Sequence, residues 1–352
     1  MANRRLINIF LPAVLALIAL ALILFYPDRA KGSEDNRSEQ ASTYYANKGH
    51  IFGTYYNIRY AASRDYEADI LKLLGDFDAS LSTFNPESTI SLINQNKSCT
   101  TDQFFEQMFT TAQRISELSD GAFDITVAPL VNAWGFGFED RQQVDSALID
   151  SLLDIVGYRK VSLSNHRLEK SDPRIKLDAS AIAKGYSCDV VADFLADKGI
   201  SNYLVDIGGE IHCHGVNAEG QPWAIGIDRP DDDLLGKSHR LQAIVRSDNL
   251  ALATSGNYRQ FYYDNGVRRS HTIDPRTGYP VSHRLLSASV IAPTCMQADA
   301  LATACMVLGE TEALRLINSI PQADCMLIVA QDSTEQVIMT EGMKKITSEP
   351  AK

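Results

Sequence analysis

The sequence predicts an α+β fold of mixed, largely antiparallel sheets with packed helices, preceded by an N-terminal transmembrane helix. Segments with helical periodicity and segments with alternating periodicity follow one another without regular strand–helix–strand alternation. No Gly-x-Gly-x-x-Gly follows a predicted strand and opens a helix, so a doubly wound dinucleotide-binding domain is not indicated. Residues 6–26 are almost wholly apolar, which is the third observation.

The apolar run at residues 6–26 is interrupted only by Asn8 and Pro12. About twenty apolar residues suffice to span a bilayer as a helix. Arg4 and Arg5 precede the run, so the positive-inside rule places the rest of the chain outside the cytoplasm. We therefore expect a single-pass anchor in the cell inner membrane, with the folded domain on the periplasmic side. A cleaved signal peptide is the alternative.

Four segments follow from this reading of the chain. Residues 32–49 are polar and rich in Ser, Glu, Asn and Ala, which is typical of a flexible tether. The predicted boundaries are an anchor or signal at 1–27, a flexible linker at 28–49, a folded catalytic domain at 50–345 and a tail at 346–352.

Six segments carry apolar residues at the helical period. They are residues 66–81, 102–118, 144–156, 180–198, 296–308 and 310–317. Asp178 and Ser180 stand at the start of the fourth segment, and both residue types are good N-caps.

The predicted strands are short apolar or alternating runs bounded by turn residues. They are residues 52–60, 203–207, 223–228, 241–245, 251–254, 260–263, 287–291, 326–330 and 336–339. The strand at 203–207 ends in Gly208-Gly209, which fits either a close backbone approach to a ligand or a tight turn.

Composition and charge exclude several classes of protein. The 352 residues, 45% of them hydrophobic, are ample for a large core in one or two domains. A net charge of -11 argues against nucleic acid and against an anionic membrane surface as main partners. None of the six cysteines forms a Cys-x-x-Cys pair, so a zinc ribbon or redox motif is unsupported. Cys188, Cys305 and Cys325 stand in apolar patterns and are predicted to be buried thiols.

Three polar clusters lie close together between residues 251 and 309. One of them contains His271. An unperturbed histidine imidazole titrates near neutrality and can take a proton from a hydroxyl group. His271 is the candidate general base; a phosphate contact, or a structural role oriented by Asp274, is the alternative. Asp299 and Thr303 are four residues apart on a predicted helix and so share one face, where they offer two oxygens to Mg²⁺. For that pair alone, a structural role is the simpler interpretation: the Asp caps the helix and the Thr is buried and bonds back to the helix.

Several sequence blocks in one order resemble the ApbE family, the FAD:protein FMN transferases. These blocks begin with Gly121-Ala122-Phe123-Asp124-Ile125-Thr126 and Trp134-Gly135-Phe136-Gly137. They continue with Asp178-Ala179-Ser180-Ala181-Ile182-Ala183-Lys184-Gly185-Tyr186, Asp206-Ile207-Gly208-Gly209-Glu210, Ser270-His271-Thr272-Ile273-Asp274-Pro275 and Ala298-Asp299-Ala300-Leu301-Ala302-Thr303. The resemblance spans roughly residues 51–330, nearly all of the predicted folded domain.

The resemblance implies a Mg²⁺-dependent transfer of FMN from FAD, as substrate, to a Thr or Ser hydroxyl of a flavoprotein, with release of AMP. The implied partner is an acceptor with a flavinylation motif, such as a subunit of an electron-transfer or ion-pumping complex. Two rivals remain: a periplasmic FAD pyrophosphatase giving FMN and AMP, and a flavin-binding protein without catalysis.

The resemblance also implies roles for individual residues. The cation ligands are the Ala181 carbonyl, Asp299 and Thr303. Some relatives have a further Asp one residue before the Thr, where this chain has Ala302. The implied FAD-binding residues are Phe52, Phe84, Ala122, Phe123, Asp124, Asp178, Lys184 and Thr272. The family usually has Met at the position of Phe52; core packing is the alternative for Phe84, and a solvated helix residue is the alternative for Lys184.

Overall fold

An eight-stranded antiparallel sheet organises the computed structural model, which describes residues 43–137, 141–230, 240–257, 261–264, 267–331 and 334–350. The strand order in this sheet is β1-β2-β5-β6-β9-β12-β13-β14, and a smaller sheet has the order β15-β8-β7. The strands are β1 (Thr43–Ile51), β2 (Thr54–Ala62), β3 (Val161–Ser164), β4 (Arg167–Lys170), β5 (Tyr203–Ile207), β6 (Glu210–His214), β7 (Trp223–Asp228), β8 (Leu241–Ser247), β9 (Asn249–Gly256), β10 (Phe261–Asp264), β11 (Val267–Ser270), β12 (Leu285–Ile291), β13 (Asp324–Gln331), β14 (Thr334–Met339) and β15 (Thr347–Ser348).

The helices cover one face of the large sheet, and the small sheet covers part of the other. The helices are α1 (Glu67–Leu81), α2 (Thr89–Asn94), α3 (Gln103–Leu118), α4 (Ala128–Ala133), α5 (Ser146–Leu153), α6 (Ala183–Asp197), α7 (Cys295–Ser319) and α8 (Glu341–Ile346). The predicted α+β class with largely antiparallel sheets is confirmed.

The first two strands correct the predicted linker boundary. Residues 43–49, assigned to the linker from their polar composition, belong to β1, which pairs along its whole length with β2. The turn between them is Phe52-Gly53, and both residues have positive φ (52° and 72°), as a two-residue hairpin turn requires. The strand predicted at 52–60 therefore begins at Thr54. The predicted transmembrane helix at 6–26 lies outside the described residues. Within the described ranges, no helix combines the length and apolar character needed to cross a bilayer.

Helix α3 shows how local sequence sets these elements. The Asp102 carboxylate accepts a hydrogen bond from the Phe105 backbone N–H (3.0 Å) and so caps the first turn. Phe105, Met108 and Ala112 recur at helical spacing and are fully buried. The prediction of a helix at 102–118 is confirmed to within one residue.

Helix α7 is bent at a single glycine. Gly309 has φ 76° and ψ 172°, which is outside the helical region. Two helices were predicted on either side of this residue, and the structure confirms the break. The first half carries Asp299 and Thr303, and the imidazole of His283 contacts the Met306 carbonyl (2.8 Å) just before the bend.

Helices α6 and α7 approach closely because a glycine lies between them. A Cβ placed on Gly185 of α6 would lie 2.2 Å from the Cys295 carbonyl oxygen and 2.7 Å from Asp299 Cβ. The backbone N–H of Gly185 instead donates to Asp299 Oδ2 at 3.0 Å. Gly185 therefore fixes the position of the Asp299 carboxylate.

We expect Gly185→Ala to lower the free energy of unfolding by about 1–3 kcal/mol, because the added methyl overpacks the helix contact. Gly75 is a matched control: it lies inside α1 and a Cβ there meets nothing within 4 Å. Gly75→Ala is expected to stabilise by about 0.5–1 kcal/mol through helix propensity. Denaturant unfolding of both variants is the measurement, and equal effects would contradict the packing argument.

Candidate functional site

A cavity of about 610 Å³ opens where α6 and α7 meet the ends of β5, β6 and β9. Eleven of the twelve site residues predicted above line it. They are Phe84, Ala122, Phe123, Asp124, Asp178, Ala181, Lys184, His271, Thr272, Asp299 and Thr303. Segments far apart in sequence thus converge on one concave site.

Phe52, the twelfth predicted residue, does not line this cavity. Its ring packs on Phe77 of α1 at a centroid distance of 5.7 Å. The expectation that Phe52 lies beside the flavin is therefore not supported by its position. The reason is the hairpin turn, which directs this side chain into the core instead.

A buried charged cluster lies on the wall of the cavity. Lys184 Nζ donates to Glu210 Oε1 at 2.9 Å and lies 3.9 Å from Asp299 Oδ2. Glu210 and Asp299 are only 4% and 2% exposed. Glu210 Oε2 is buried and has no hydrogen-bond partner among the described residues. Leaving a carboxylate oxygen unpaired in the interior is costly, and such an oxygen can accept a hydrogen bond from a ligand or coordinate a cation.

The protonation of this cluster is set by burial and by its mixed charges. Burial raises the pKa of Glu210 to about 7, against the opposing effect of Lys184. Burial opposes the ammonium of Lys184, but Asp299 and Glu210 outweigh it and raise the pKa of that lysine. Lys184 is therefore cationic at neutral pH.

The raised pKa of Glu210 predicts a pH-dependent effect of Glu210→Gln. Between about pH 4.5 and 7 the folded protein binds this proton and the unfolded chain does not, so wild type loses stability from this group as pH rises. The free energy of unfolding of the variant, minus that of wild type, should therefore increase as the pH rises through that window. Above the window this difference should stay constant. Urea unfolding at several pH values measures it, with the exposed Glu117→Gln as control; parallel curves would contradict the prediction.

The predicted cation ligands meet at the same wall. Asp299 and Thr303 share a face of α7 that lines the cavity, with Ala181 opposite in the segment before α6. Thr303 Oγ1 lies 3.4 Å from Ser255 Oγ. Across the described ranges, no three His, Cys, Asp or Glu side chains form a group that could hold a metal ion. A single carboxylate with neutral oxygens still fits Mg²⁺, which usually keeps waters and binds substrate phosphates.

The segment before α6 differs from the prediction. The helix begins at Ala183, with Ile182 as an N-cap that makes no side-chain bond. Asp178 Oδ1 accepts instead from the Ser180 N–H (2.8 Å), which closes a local turn. Asp178 and Ser180 therefore line the cavity without capping the helix, and Lys184 is its second residue.

Asp124 is buried and internally satisfied. Its carboxylate accepts hydrogen bonds from the Thr126 N–H (2.7 Å), the Thr126 hydroxyl (2.7 Å) and the Tyr158 N–H (2.6 Å). Burial raises its pKa in spite of these bonds. The visible role of Asp124 is to hold the loop that places Ala122 and Phe123 against the cavity.

His271 also lines the cavity, with its ring edge-on to Phe136 at 6.4 Å between centroids. The neighbouring Thr272 hydroxyl donates to Asn257 Oδ1. Arg276 engages both carboxylate oxygens of Asp274, at 2.9 and 2.8 Å. Asp274 is thereby held in its own turn.

Phe84 is 78% exposed at the cavity, so simple core packing does not describe it. Sequence reasoning assigned no role to Glu210 or Ser255, which also line the cavity. A signal for Glu210 was available, because it is the acidic residue that opens a strand directly after Gly208-Gly209.

Comparisons with known proteins agree with this arrangement. Residues 52–327 match the ApbE family. The FAD:protein FMN transferase of Vibrio cholerae is 37% identical over 311 residues, covering 85% of this chain and 92% of the relative. That of Haemophilus influenzae is 36% identical over 316 residues, covering 85% and 90%. The solved flavin transferase ApbE from Vibrio cholerae superposes with a TM-score of 0.77 at 35% identity, covering 87% of this chain and 99% of that one.

Fold, cavity and relatives together define an enzyme of the flavin-transferase class. The match covers most of the chain, and the cavity residues fall inside the matched range. The chain belongs to the ApbE family.

Proposed function

We propose that this protein transfers FMN from FAD to a Thr or Ser hydroxyl of an acceptor flavoprotein, with Mg²⁺, through a phosphoester bond. The observation that carries the proposal is the cationic Lys184 between two buried carboxylates, in one cavity with His271. Phosphoryl transfer depends on positioning and charge neutralisation, and this cavity combines a cation, oxygen donors and a proton acceptor.

The reaction exchanges one phosphorus–oxygen bond for another. The acceptor hydroxyl oxygen attacks the phosphorus of the FMN half. The bond from that phosphorus to the oxygen bridging the two phosphates breaks, and AMP leaves with the bridging oxygen. His271 takes the proton of the acceptor hydroxyl. Lys184 neutralises phosphate charge. Mg²⁺, held by Asp299, Thr303 and the Ala181 carbonyl, would polarise the phosphate oxygens.

Aromatic and small side chains of the cavity suit the flavin ring. Phe84, Phe123 and Ala122 line it, and aromatic rings stack favourably on planar ligands. The acceptor is a flavoprotein with a flavinylation motif, such as a subunit of an electron-transfer or ion-pumping complex.

Incubation with FAD, Mg²⁺ and a candidate acceptor, followed by denaturing electrophoresis, tests the proposal. Flavin fluorescence in the acceptor band, with one AMP released per flavin attached, is the expected result. Free FMN and AMP without labelled protein would instead show an FAD pyrophosphatase. FAD recovered unchanged would show a binding protein without catalysis.

The proposed location is the inner membrane, with residues 6–26 as a retained single-pass anchor and the catalytic domain on the periplasmic side. N-terminal sequencing of membrane-fraction protein should find the anchor on the mature chain. A mature start beyond Ala30 would contradict retention and show a cleaved signal.

A further inference from the structure

A second cavity, of about 770 Å³, lies on the other face of the large sheet. Its floor is formed by side chains of β2 and β5, among them Tyr55, Asn57 and Asp206. We call this the sheet groove. The small sheet packs on Leu204 of β5 and over β6 and β9, and the groove lies along its β7 side, beside Tyr55, Asn57 and Asp206.

One wall of the sheet groove is the edge of strand β7. Residues 223–228 all line it, and β7 pairs only with β8 among the described strands. An edge strand presents backbone N–H and C=O groups that can pair with another extended chain. Six residues at about 3.3 Å each give an edge roughly 20 Å long, which suits a peptide segment.

The floor of the groove offers polar groups to such a segment. Asn57 Oδ1 is buried and has no hydrogen-bond partner among the described residues. Tyr55 is 45% exposed, and its hydroxyl donates a hydrogen bond to the Asp206 carboxylate. The groove therefore offers hydroxyl, amide and carboxylate groups, from Tyr55, Asn57 and Asp206, to a segment lying in it.

The sheet groove adjoins the catalytic cavity at the turn between β5 and β6. Gly208 and Thr254 line both spaces. A Cβ on Gly208 would lie 2.9 Å from Thr54 Cγ2 and 3.3 Å from Lys184 Cδ, the latter on the catalytic side. A Cβ on Gly209 would meet only the Tyr55 hydroxyl, at 4.0 Å, on the groove side. The turn therefore borders both spaces.

We infer that the sheet groove is where the acceptor polypeptide docks: an extended segment pairs with the edge of β7 and carries its hydroxyl residue across the Gly208-Gly209 turn toward Lys184. This inference rests on the proposed transfer function. Strand addition to a sheet edge supplies affinity through backbone bonds and leaves the side chains for selectivity.

Ala46 provides a way to block the groove without touching the catalytic cavity. It is exposed, lines the groove and lies directly opposite Arg59 in the β1–β2 register, so its side chain shares the groove face. Ala46→Trp would fill the space where a peptide would lie. Ala196→Trp is the matched control, on an exposed position of α6 that lines neither cavity.

The probe is a pool of short synthetic peptides, each with a single central threonine. Peptides retained by the immobilised protein are assayed with FAD and Mg²⁺ for covalent flavin. We expect Ala46→Trp to raise the KM for these peptides by at least about tenfold, which corresponds to 1.4 kcal/mol of lost binding. The dissociation constant of FAD should stay unchanged, and Ala196→Trp should match wild type. Equal KM values in the two variants would overturn docking in the groove.

Hydrogen exchange of residues 223–228 separates docking from chemistry, because it needs no FAD. Retained peptides should slow exchange of these amides in wild type and not in Ala46→Trp. Unchanged exchange would overturn the docking inference, whatever the transfer assay shows. Slowed exchange without covalent flavin would uphold docking and overturn the transfer function instead. Slow exchange that depends on protein concentration alone would assign the groove to a second copy of the chain and overturn the inference.

Discussion

Asp299→Asn should abolish FMN transfer, with a loss of at least about a thousandfold. Asp299 is the one carboxylate assigned to the cation, and a catalytic metal contributes several kcal/mol to stabilising transition-state charge. The amide keeps the volume of the side chain and an oxygen that can still accept from the Gly185 N–H, now at 3.0 Å from Asp299 Oδ2. Transfer assays and calorimetric titration with Mg²⁺ are the measurements.

Asp299→Ala tests the same carboxylate less cleanly. Removal of the carboxylate also leaves the Gly185 N–H unpaired. An unsatisfied buried donor costs about 1–3 kcal/mol, so this variant should be less stable as well as inactive. A wild-type transfer rate or unchanged Mg²⁺ affinity in Asp299→Asn would show that the cation assignment is wrong.

His271→Ala should slow transfer by roughly 10²–10⁴-fold if His271 takes the acceptor proton, which is the usual cost of removing a general base. FAD affinity should then remain nearly intact. The exposed His50→Ala, on β1 outside the cavity, is the matched control. Single-turnover rates and FAD dissociation constants, measured separately, give the answer.

The alternatives for His271 change different quantities. A histidine that grips phosphate in the ground state would weaken FAD binding on substitution. An unchanged single-turnover rate and unchanged affinity would reject both roles and leave a structural residue. Orientation of His271 by Asp274, whose carboxylate also binds Arg276, would appear as a change in both quantities on substitution of Asp274.

Elements with one strongly apolar face were predictable from sequence. Helices α1 and α3 and strands β5 and β7 agree with their predicted ranges to within one residue. In each, burial against the sheet or the helices follows the periodicity of the chain. The break at Gly309 was also visible, because glycine is a poor helix former with access to positive φ.

Strand β1 was not predictable in this way, since its polar residues resemble a linker and its pairing with β2 is a tertiary fact. Missing β1 meant missing the hairpin, whose turn places the ring of Phe52 against Phe77. The side chains of one strand cannot be assigned to a ligand or to the core until its partner is known.

The catalytic cavity could be predicted residue by residue only through the family resemblance. Periodicity placed Asp299 and Thr303 on one helix face, but nothing local in sequence indicated that Lys184 would lie between Asp299 and Glu210. That contact depends on the close approach of α6 and α7 at Gly185, which is a property of packing.

The bend at Gly309 divides helix α7 into two segments, and the angular positions of the side chains in one are not set by the length of the other. Each residue added within a continuous helix rotates everything beyond it by roughly 100° about the axis. At Gly309 the helical hydrogen-bond ladder is interrupted, so a change in length beyond this residue leaves the angular position of Asp299 and Thr303 as it is. A residue inserted or deleted between Cys295 and Asp299, in contrast, would rotate both side chains away from the cavity by about 100°.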